Sequence, residues 1–329
     1  MSGSIVIGID VGGSKLSGVA VAASGGDAPV AEDRRLLDDR PLDEQVVDLA
    51  RDLAKQANAV LAAVGVAVPG QVDPRNGVMR LAVNLHSGEV AIGPLVERAL
   101  GIPCRVEHDA RAAALWLLDV GRDPGASLVY LSVGTGISAA VVLDGRLVRG
   151  MTGIAGEIGH IQAVEAGPLC PCGLHGCLEA VAAGPAVARM AADAIGRGEI
   201  STMSQGATAE QVYRAAAAGD APARQVAARV GVHLARAVRG LVLGYGVDRV
   251  VIGGGLSRAG QSFLDPILDE LERERAASAL IRHAVSTESV RLLAPGIEAG
   301  ALGAVIAARA ALDNPEFGTR LETEVGAGG

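Results

Sequence analysis

The sequence predicts a duplicated α/β fold in which each half opens on two strands joined by a glycine turn. Residues 4–22, SIVIGIDVGGSKLSGVAVA, read as an apolar strand, a Gly-Gly-Ser-Lys turn and a second strand of alternating small and β-branched residues. Residues 127–148, SLVYLSVGTGISAAVVLDGRLV, repeat that plan around Gly134-Thr135-Gly136 and close on an Asp144-Gly145 hairpin signal. A third glycine cluster, Gly253-Gly254-Gly255, follows the apolar strand 249–252 and leads into a helical pattern.

Helices fill the intervals. Residues 43–58 and 227–244 carry apolar side chains at helical spacing, and Thr208 with Gln211 forms a capping-box signature. No interdomain linker stands out by composition; the expected first domain is residues 1–119 together with a C-terminal helix at 297–313. A second, larger domain is expected over 120–296, and residues 314–329, which lack periodicity, are expected to be a flexible tail. The chain is 50% hydrophobic and only 2% aromatic, so its core must be built from Ala, Val, Leu and Ile. A net charge of -8 argues against nucleic acid as a partner, because phosphate neutralisation needs a basic surface. No apolar run is long enough for a membrane span, and the N-terminus lacks the pattern of a signal peptide. The expected location is therefore cytoplasmic, where thiols stay reduced.

The turn Gly12-Gly13-Ser14-Lys15 is not a P-loop, since the upstream glycine is missing and a strand follows it. Backbone N–H groups in such turns can still form an anion nest, and only glycine allows so close an approach. Ser14 and Lys15 add donors and charge, and Asp10 at the strand end is placed to hold Mg2+ through water. Each turn alone also reads as an ordinary hairpin. Both in matching frames, with the triple glycine, predict a nucleotide cleft where Gly254 and Gly255 let the nucleotide lie flat. Asp109 falls where a short apolar strand meets an Ala-rich helix, so it reads either as a helix cap or as a general base for phosphoryl transfer. Glu107, two residues earlier, is open to the same two roles.

Three of the four cysteines stand at Cys170, Cys172 and Cys177, and with His160 they give H-x9-C-x-C-x4-C. Four N/S ligands suit a closed tetrahedral structural Zn2+ site, with His175 as an alternative fourth ligand by spacing. A disulfide and a redox pair fit the C-x-C spacing poorly. Cys104 reads as a core residue.

These motifs together resemble the ROK family of bacterial sugar kinases, with repressor relatives, in the actin-like ATPase superfamily. The resemblance rests on IGIDVGGSK, VAVPGQVDPRNGV, Asn84-Leu85, EHDARAAAL, LSVGTGI, GIAGEIGH, CPCGLHGCLEA and VVIGGGLS. It implies a duplicated actin-like ATPase (ribonuclease H-like) fold, with two domains around a nucleotide and sugar cleft. It further implies ATP-dependent phosphorylation of a glucose-like hexose at its primary (C6) hydroxyl, with Asp109 as base. Asn84, His108, Glu157, His160 and Glu179 would bind the sugar. Gly12, Gly13, Ser14, Lys15, Gly134, Thr135 and Gly136 would flank the ATP phosphates, with Gly254 and Gly255 near the adenosine. The likeness favours His160 over His175 as the zinc ligand, one ring nitrogen serving the metal and the other the sugar. A dimer or tetramer is also implied.

The sequence departs from the family at His108, where Asn is usual, at Arg111, a common Asn, at Ser138, a usual glycine, and at His86-Ser87-Gly88, where glucose-using members often carry an aromatic. These departures bring an amino sugar or a cyclitol into range as substrate. A sugar-sensing regulator lacking its DNA-binding domain is the alternative of another class, and no helix-turn-helix precedes the first glycine turn.

Overall fold

The computed structural model describes residues 3–26, 28–81 and 89–313. The expected tail at 314–329 lies outside them, as do Asn84-Leu85 and His86-Ser87-Gly88. The chain divides into two compact units, the first formed by Met1–Asp123, Arg149–Ala155 and Glu298–Gly329, the second by Pro124–Val148 and Gly156–Ile297. The short segment Arg149–Ala155 belongs with the first unit, which no feature of the sequence predicts.

The first unit begins with β1 (Ser4–Val11), β2 (Lys15–Ala22) and β3 (Ala31–Leu36), a meander of antiparallel neighbours. Helix α1 (Leu42–Ala57) follows and ends on Asn58 in the left-handed conformation, a residue type that tolerates it. Strand β4 (Val60–Val68) then pairs parallel to β1, and β7 (Cys104–His108) parallel to β4, after the small hairpin β5 (Gln71–Asp73) and β6 (Val78–Leu81) and helix α2 (Ile92–Leu100). The sheet order is β3-β2-β1-β4-β7. Helix α3 (Asp109–Gly121) leaves directly from β7.

The second unit repeats the plan. Strands β8 (Leu128–Val133), β9 (Ile137–Leu143) and β10 (Arg146–Leu147) form the meander, with Asp144 and Gly145 both at positive φ in the turn the sequence signals. Helices α4 (Leu178–Ala182), α5 (Gly184–Gly196), α6 (Ala209–Ala217) and α7 (Ala221–Tyr245) follow. Helix α6 starts on the expected capping box, with Thr208 and Gln211 each satisfying the other's backbone N–H. Strand β11 (Arg249–Gly253) pairs parallel to β8, and, beyond α8 (Gln261–Ala277) and α9 (Ala279–Ala284), β12 (Val290–Leu292) pairs parallel to β11. The order β10-β9-β8-β11-β12 matches the first sheet strand for strand, so the two glycine turns occupy equivalent β1–β2 and β8–β9 connections. Among the described residues no helix is long and apolar enough to cross a membrane.

The chain returns to the first unit with α10 (Ala299–Asp313), which covers the face of β1 and β4 opposite α1. Its packing is backbone on backbone. A Cβ added at Gly8 would lie 1.9 Å from the carbonyl oxygen of Ala301, one at Gly65 1.8 Å from that of Ala304, and one at Gly303 1.7 Å from that of Ala112. Such contacts fit a core with few aromatics, where small residues fill space by close approach rather than by bulk. Gly65→Ala is therefore expected to destabilise the protein by about 2–3 kcal/mol in urea unfolding. Gly240→Ala, on α7 with nothing within 4 Å of the added atom, should stabilise it by about 0.5–1 kcal/mol.

Candidate active site and metal centre

Strand β7 ends at His108 and α3 begins at Asp109, so the helix cap is His108, and it makes no side-chain capping bond. Asp109 is the first helical residue rather than the cap, a place where the helix dipole favours its negative charge. Its Oδ1 accepts the N–H of Ala110 at 2.6 Å and lies 3.2 Å from His108 Nδ1. His108 is 3% exposed, whereas the Asp109 side chain keeps 30% of its surface open to solvent.

Glu107 is different in kind. Its Oε1 accepts from Arg111 Nε at 2.7 Å and from the N–H of His108 at 3.0 Å, and its Oε2 accepts from Arg149 Nη2 at 2.7 Å. Burial alone would raise its pKa, but the charges and hydrogen bonds of Arg149 and Arg111 outweigh that and hold it at about 2. An anion so firmly paired is no proton acceptor near neutral pH, which removes Glu107 as a candidate base. The split follows from position, since Glu107 lies within β7 whereas Asp109 opens α3.

Asp10, on β1, has the opposite environment. Burial, then the charges of Asp109 and Glu298, push its pKa up to about 7, against a smaller lowering by Lys15. Gly300 makes its room, because a Cβ there would stand 2.6 Å from the Asp10 carboxyl carbon. Glu298 itself is paired with Arg34 of β3. In the adjoining turn the N–H of Gly12 donates to the carbonyl of Lys15 at 2.8 Å. Gly12 is thus spent within the turn, and an anion nest there is left to Gly13, Ser14 and Lys15.

In the second unit the N–H of Gly134 is likewise engaged, donating to the carbonyl of Gly136 at 2.9 Å, while the Gly134 carbonyl accepts from Gly184 at 2.8 Å. The triple glycine meets this turn. A Cβ at Gly134 would lie 3.2 Å from the nitrogen of Gly255, and one at Gly254, whose φ is 85°, would lie 2.5 Å from the carbonyl oxygen of Val133. Gly134, Thr135, Gly136, Gly254 and Gly255 therefore share one neighbourhood, to which the structure adds Gly184 at the start of α5. Only the bare glycine in a helical pattern marks Gly184 in the sequence.

Glu157, His160 and Glu179 also gather. A 3-10 turn at Ile158–His160 puts His160 Nε2 3.9 Å from Glu157 Oε2. Glu179, buried at the start of α4, accepts the N–H of Ile137, the first residue after the Gly-Thr-Gly turn, at 2.9 Å. Burial raises the Glu179 pKa, the Ile137 N–H and His160 oppose this, and Glu157 adds to it. The other ring nitrogen of His160, Nδ1, lies 3.6 Å from Cys170 Sγ, and the sulfurs of Cys172 and Cys177 are also 3.6 Å apart. All four candidate ligand atoms fall within 4.8 Å of one another. His175 stands outside this group and directs its Nδ1 to the carbonyl of Gly167 at 3.0 Å.

Residues 6–311 match the sequence pattern of the ROK family. The chain belongs to the ROK family. This ROK protein is 32% identical over 309 residues to the glucokinase of Thermotoga maritima, covering 91% of this chain and 95% of that one. It is 31% identical over 305 residues to the N-acetylmannosamine kinase of Citrobacter koseri, covering 88% and 98%. Among solved structures, a ROK family glucokinase from Streptomyces griseus in complex with glucose and AMPPNP superposes with a TM-score of 0.76 at 28% identity, covering 93% of this chain and 99% of that one. The fold is the duplicated actin-like ATPase fold of that family.

The depressed pKa of Glu107 carries a sign. Stability from its ion pairs is fully present above the ordinary value of 4.5 and is lost as pH falls towards 2. Acid unfolding should therefore show the wild type losing on the order of 3 kcal/mol more than Glu107→Gln across that window.

Proposed function

We propose that this ATP-dependent sugar kinase transfers the terminal phosphoryl group of ATP to the primary (C6) hydroxyl of a hexose, with Asp109 as the general base. The carrying observation is the state of the strand end. Of its two carboxylates, Glu107 is buried and committed to two arginines, and Asp109 alone keeps an exposed edge at the first turn of a helix. A base that takes a hydroxyl proton as the oxygen attacks phosphorus needs that access and a fixed direction. The Ala110 N–H and His108 supply the direction.

The other groups take complementary roles. Glu157, Glu179 and His160 Nε2 accept from and donate to the sugar's remaining hydroxyls, a mixed set suited to vicinal diols. Asn84, outside the described residues, joins them by the family likeness. Gly13, Ser14, Lys15, Thr135 and Gly136 receive the ATP phosphates, and Gly254 with Gly255 the adenosine. Asp10 is the residue that would hold Mg2+ through water, and a cation there would neutralise charge on the ATP phosphates. Cys170, Cys172, Cys177 and His160 Nδ1 fit a structural zinc ion, because a tetrahedron with bonds of about 2.3 Å has ligand-to-ligand edges of about 3.7 Å, close to the two spacings of 3.6 Å in a cluster whose atoms all lie within 4.8 Å of one another. The substrate class is glucose-like or N-acylated, in keeping with the kinases to which the chain is similar.

An ATP-consumption screen over glucose, mannose, N-acetylglucosamine, N-acetylmannosamine and a cyclitol tests the reaction. One sugar should stimulate turnover, its product should carry phosphate on the primary carbon by NMR, and Asp109→Asn should lower kcat by about 10³ or more. Stimulation by none of them, or full activity in Asp109→Asn, overturns the reading. Removing the metal with a strong chelator should weaken sugar binding while leaving AMPPNP affinity within about twofold, because His160 serves metal and sugar together. Equal loss of both affinities, or less than about half an equivalent of zinc in unchelated protein, contradicts the shared histidine.

A further inference from the structure

Within the second unit, the segment that carries Glu157 and His160 lies directly on β9, the strand that leaves the Gly134-Thr135-Gly136 turn. Ala139 of β9 donates its N–H to the Gly156 carbonyl at 2.8 Å, and a Cβ added at Gly156 would lie 1.9 Å from the Ala139 carbonyl oxygen. Two residues nearer the turn, the Ile137 carbonyl oxygen faces Gly159, where an added Cβ would stand 2.2 Å from it. These two glycines bring the backbone of the 156–160 segment onto the first residues of β9 with no side chain of their own in the way.

Ile137 is held from its other end by Glu179, whose Oε2 accepts the Ile137 N–H at 2.9 Å. Both partners are buried, Ile137 at 2% exposed and Glu179 at 7%. That N–H belongs to the peptide that Gly136 contributes, so Glu179 fixes the last link of the Gly-Thr-Gly turn. The other ties of the turn are backbone on backbone, Gly134 N–H to the Gly136 carbonyl at 2.9 Å and Gly184 N–H to the Gly134 carbonyl at 2.8 Å. Glu179 adds a carboxylate to this set. Leu178 and Ala182 of α4 lie in the same hydrophobic core as Ile137 and Ala139, so packing keeps Glu179 beside the turn.

One carboxylate oxygen of Glu179 is therefore spent on the turn before any sugar arrives. We propose that Glu179 is a positioning residue for the triphosphate: through the Ile137 N–H it holds Thr135 and Gly136 in the shape that receives the ATP phosphates, and its other oxygen remains for a sugar hydroxyl. The inference rests on the reading of this turn as a phosphate site and of Gly254 and Gly255 as the adenosine site. A residue expected to bind sugar then has a second task, in nucleotide binding, that needs no sugar present. The physical reason is the turn itself. Glycines restrain the backbone little, so an external acceptor is needed to hold one conformation of it.

The test is calorimetric titration with AMPPNP and with adenosine, in Mg2+ and without sugar, of wild type, Glu179→Ala and Glu179→Gln. Glu179→Ala leaves a buried N–H unpaired at the end of the turn, so the Kd for AMPPNP should rise about tenfold. Adenosine, which does not reach the turn, should bind within about twofold of wild type. Glu179→Gln keeps an acceptor oxygen without the charge and should weaken AMPPNP about threefold; it carries the comparison alone where the alanine variant fails to fold. An AMPPNP Kd at the wild-type value in the folded variants, or AMPPNP and adenosine weakened by the same factor alongside a lowered Tm, overturns the proposal. The wild type separates the two readings. If it binds adenosine as tightly as AMPPNP, the phosphate reading of the turn fails. If it prefers AMPPNP and the folded variants keep that preference in full, the positioning role alone fails.

Discussion

Backbone lying directly on backbone is the constraint on which the rest of this protein depends. With 2% aromatic residues the chain has little bulk to fill gaps, so its layers close until carbonyl oxygens occupy the space where side chains would begin. Gly8, Gly65 and Gly303 let α10 settle on β1, β4 and α3, and Gly300 of the same helix leaves the pocket that receives the Asp10 carboxylate. In the second unit Gly134, Gly184, Gly254 and Gly255 do the same around the Gly-Thr-Gly turn. The residues that make the fold compact are the ones that bring the candidate nucleotide groups together, so packing and function draw on one set of glycines.

Electrostatics then divides labour among carboxylates that look alike in sequence. Glu107 is pulled down to about 2 by two guanidiniums, and Asp10 is pushed up to about 7 by burial beside two other acids. The first is a permanent anion that organises arginines. The second is poised to welcome a cation, whose charge would relieve the crowding by Asp109 and Glu298. Asp109, at a helix start, keeps an exposed edge that Glu107 lacks. Environments that drive neighbouring carboxyl groups apart are how a site assigns different tasks to the same chemical group.

Much of this was legible in the residues. Glycine turns flanked by alternating strands gave away both halves of the duplication, and the matched sheet orders follow from that repeat. The cysteine spacing identified three sulfurs that do converge, and one of the two candidate histidines joins them. Spacing could not choose between His160 and His175; the 3-10 turn at Ile158–His160 makes that choice by aiming Nδ1 at Cys170. Nor could it show that the N–H groups of Gly12 and Gly134 are consumed inside their own turns, since that depends on turn closure rather than on residue type. The Arg149–Glu107 pair was out of reach for a plainer reason. Its members are 42 positions apart, and the lone arginine before Gly150 carries no local pattern that points to a buried carboxylate.

The account therefore turns on Asp109 acting in chemistry rather than in binding. The most direct measurement takes one sample of Asp109→Asn and records both sugar affinity by calorimetry and single-turnover phosphoryl transfer by rapid quench. Sugar affinity should stay within about threefold of wild type while transfer slows by about 10³ or more, the pattern of a lost transition-state interaction. Transfer at the wild-type rate, or a loss of sugar affinity large enough to explain the slower turnover, would contradict it.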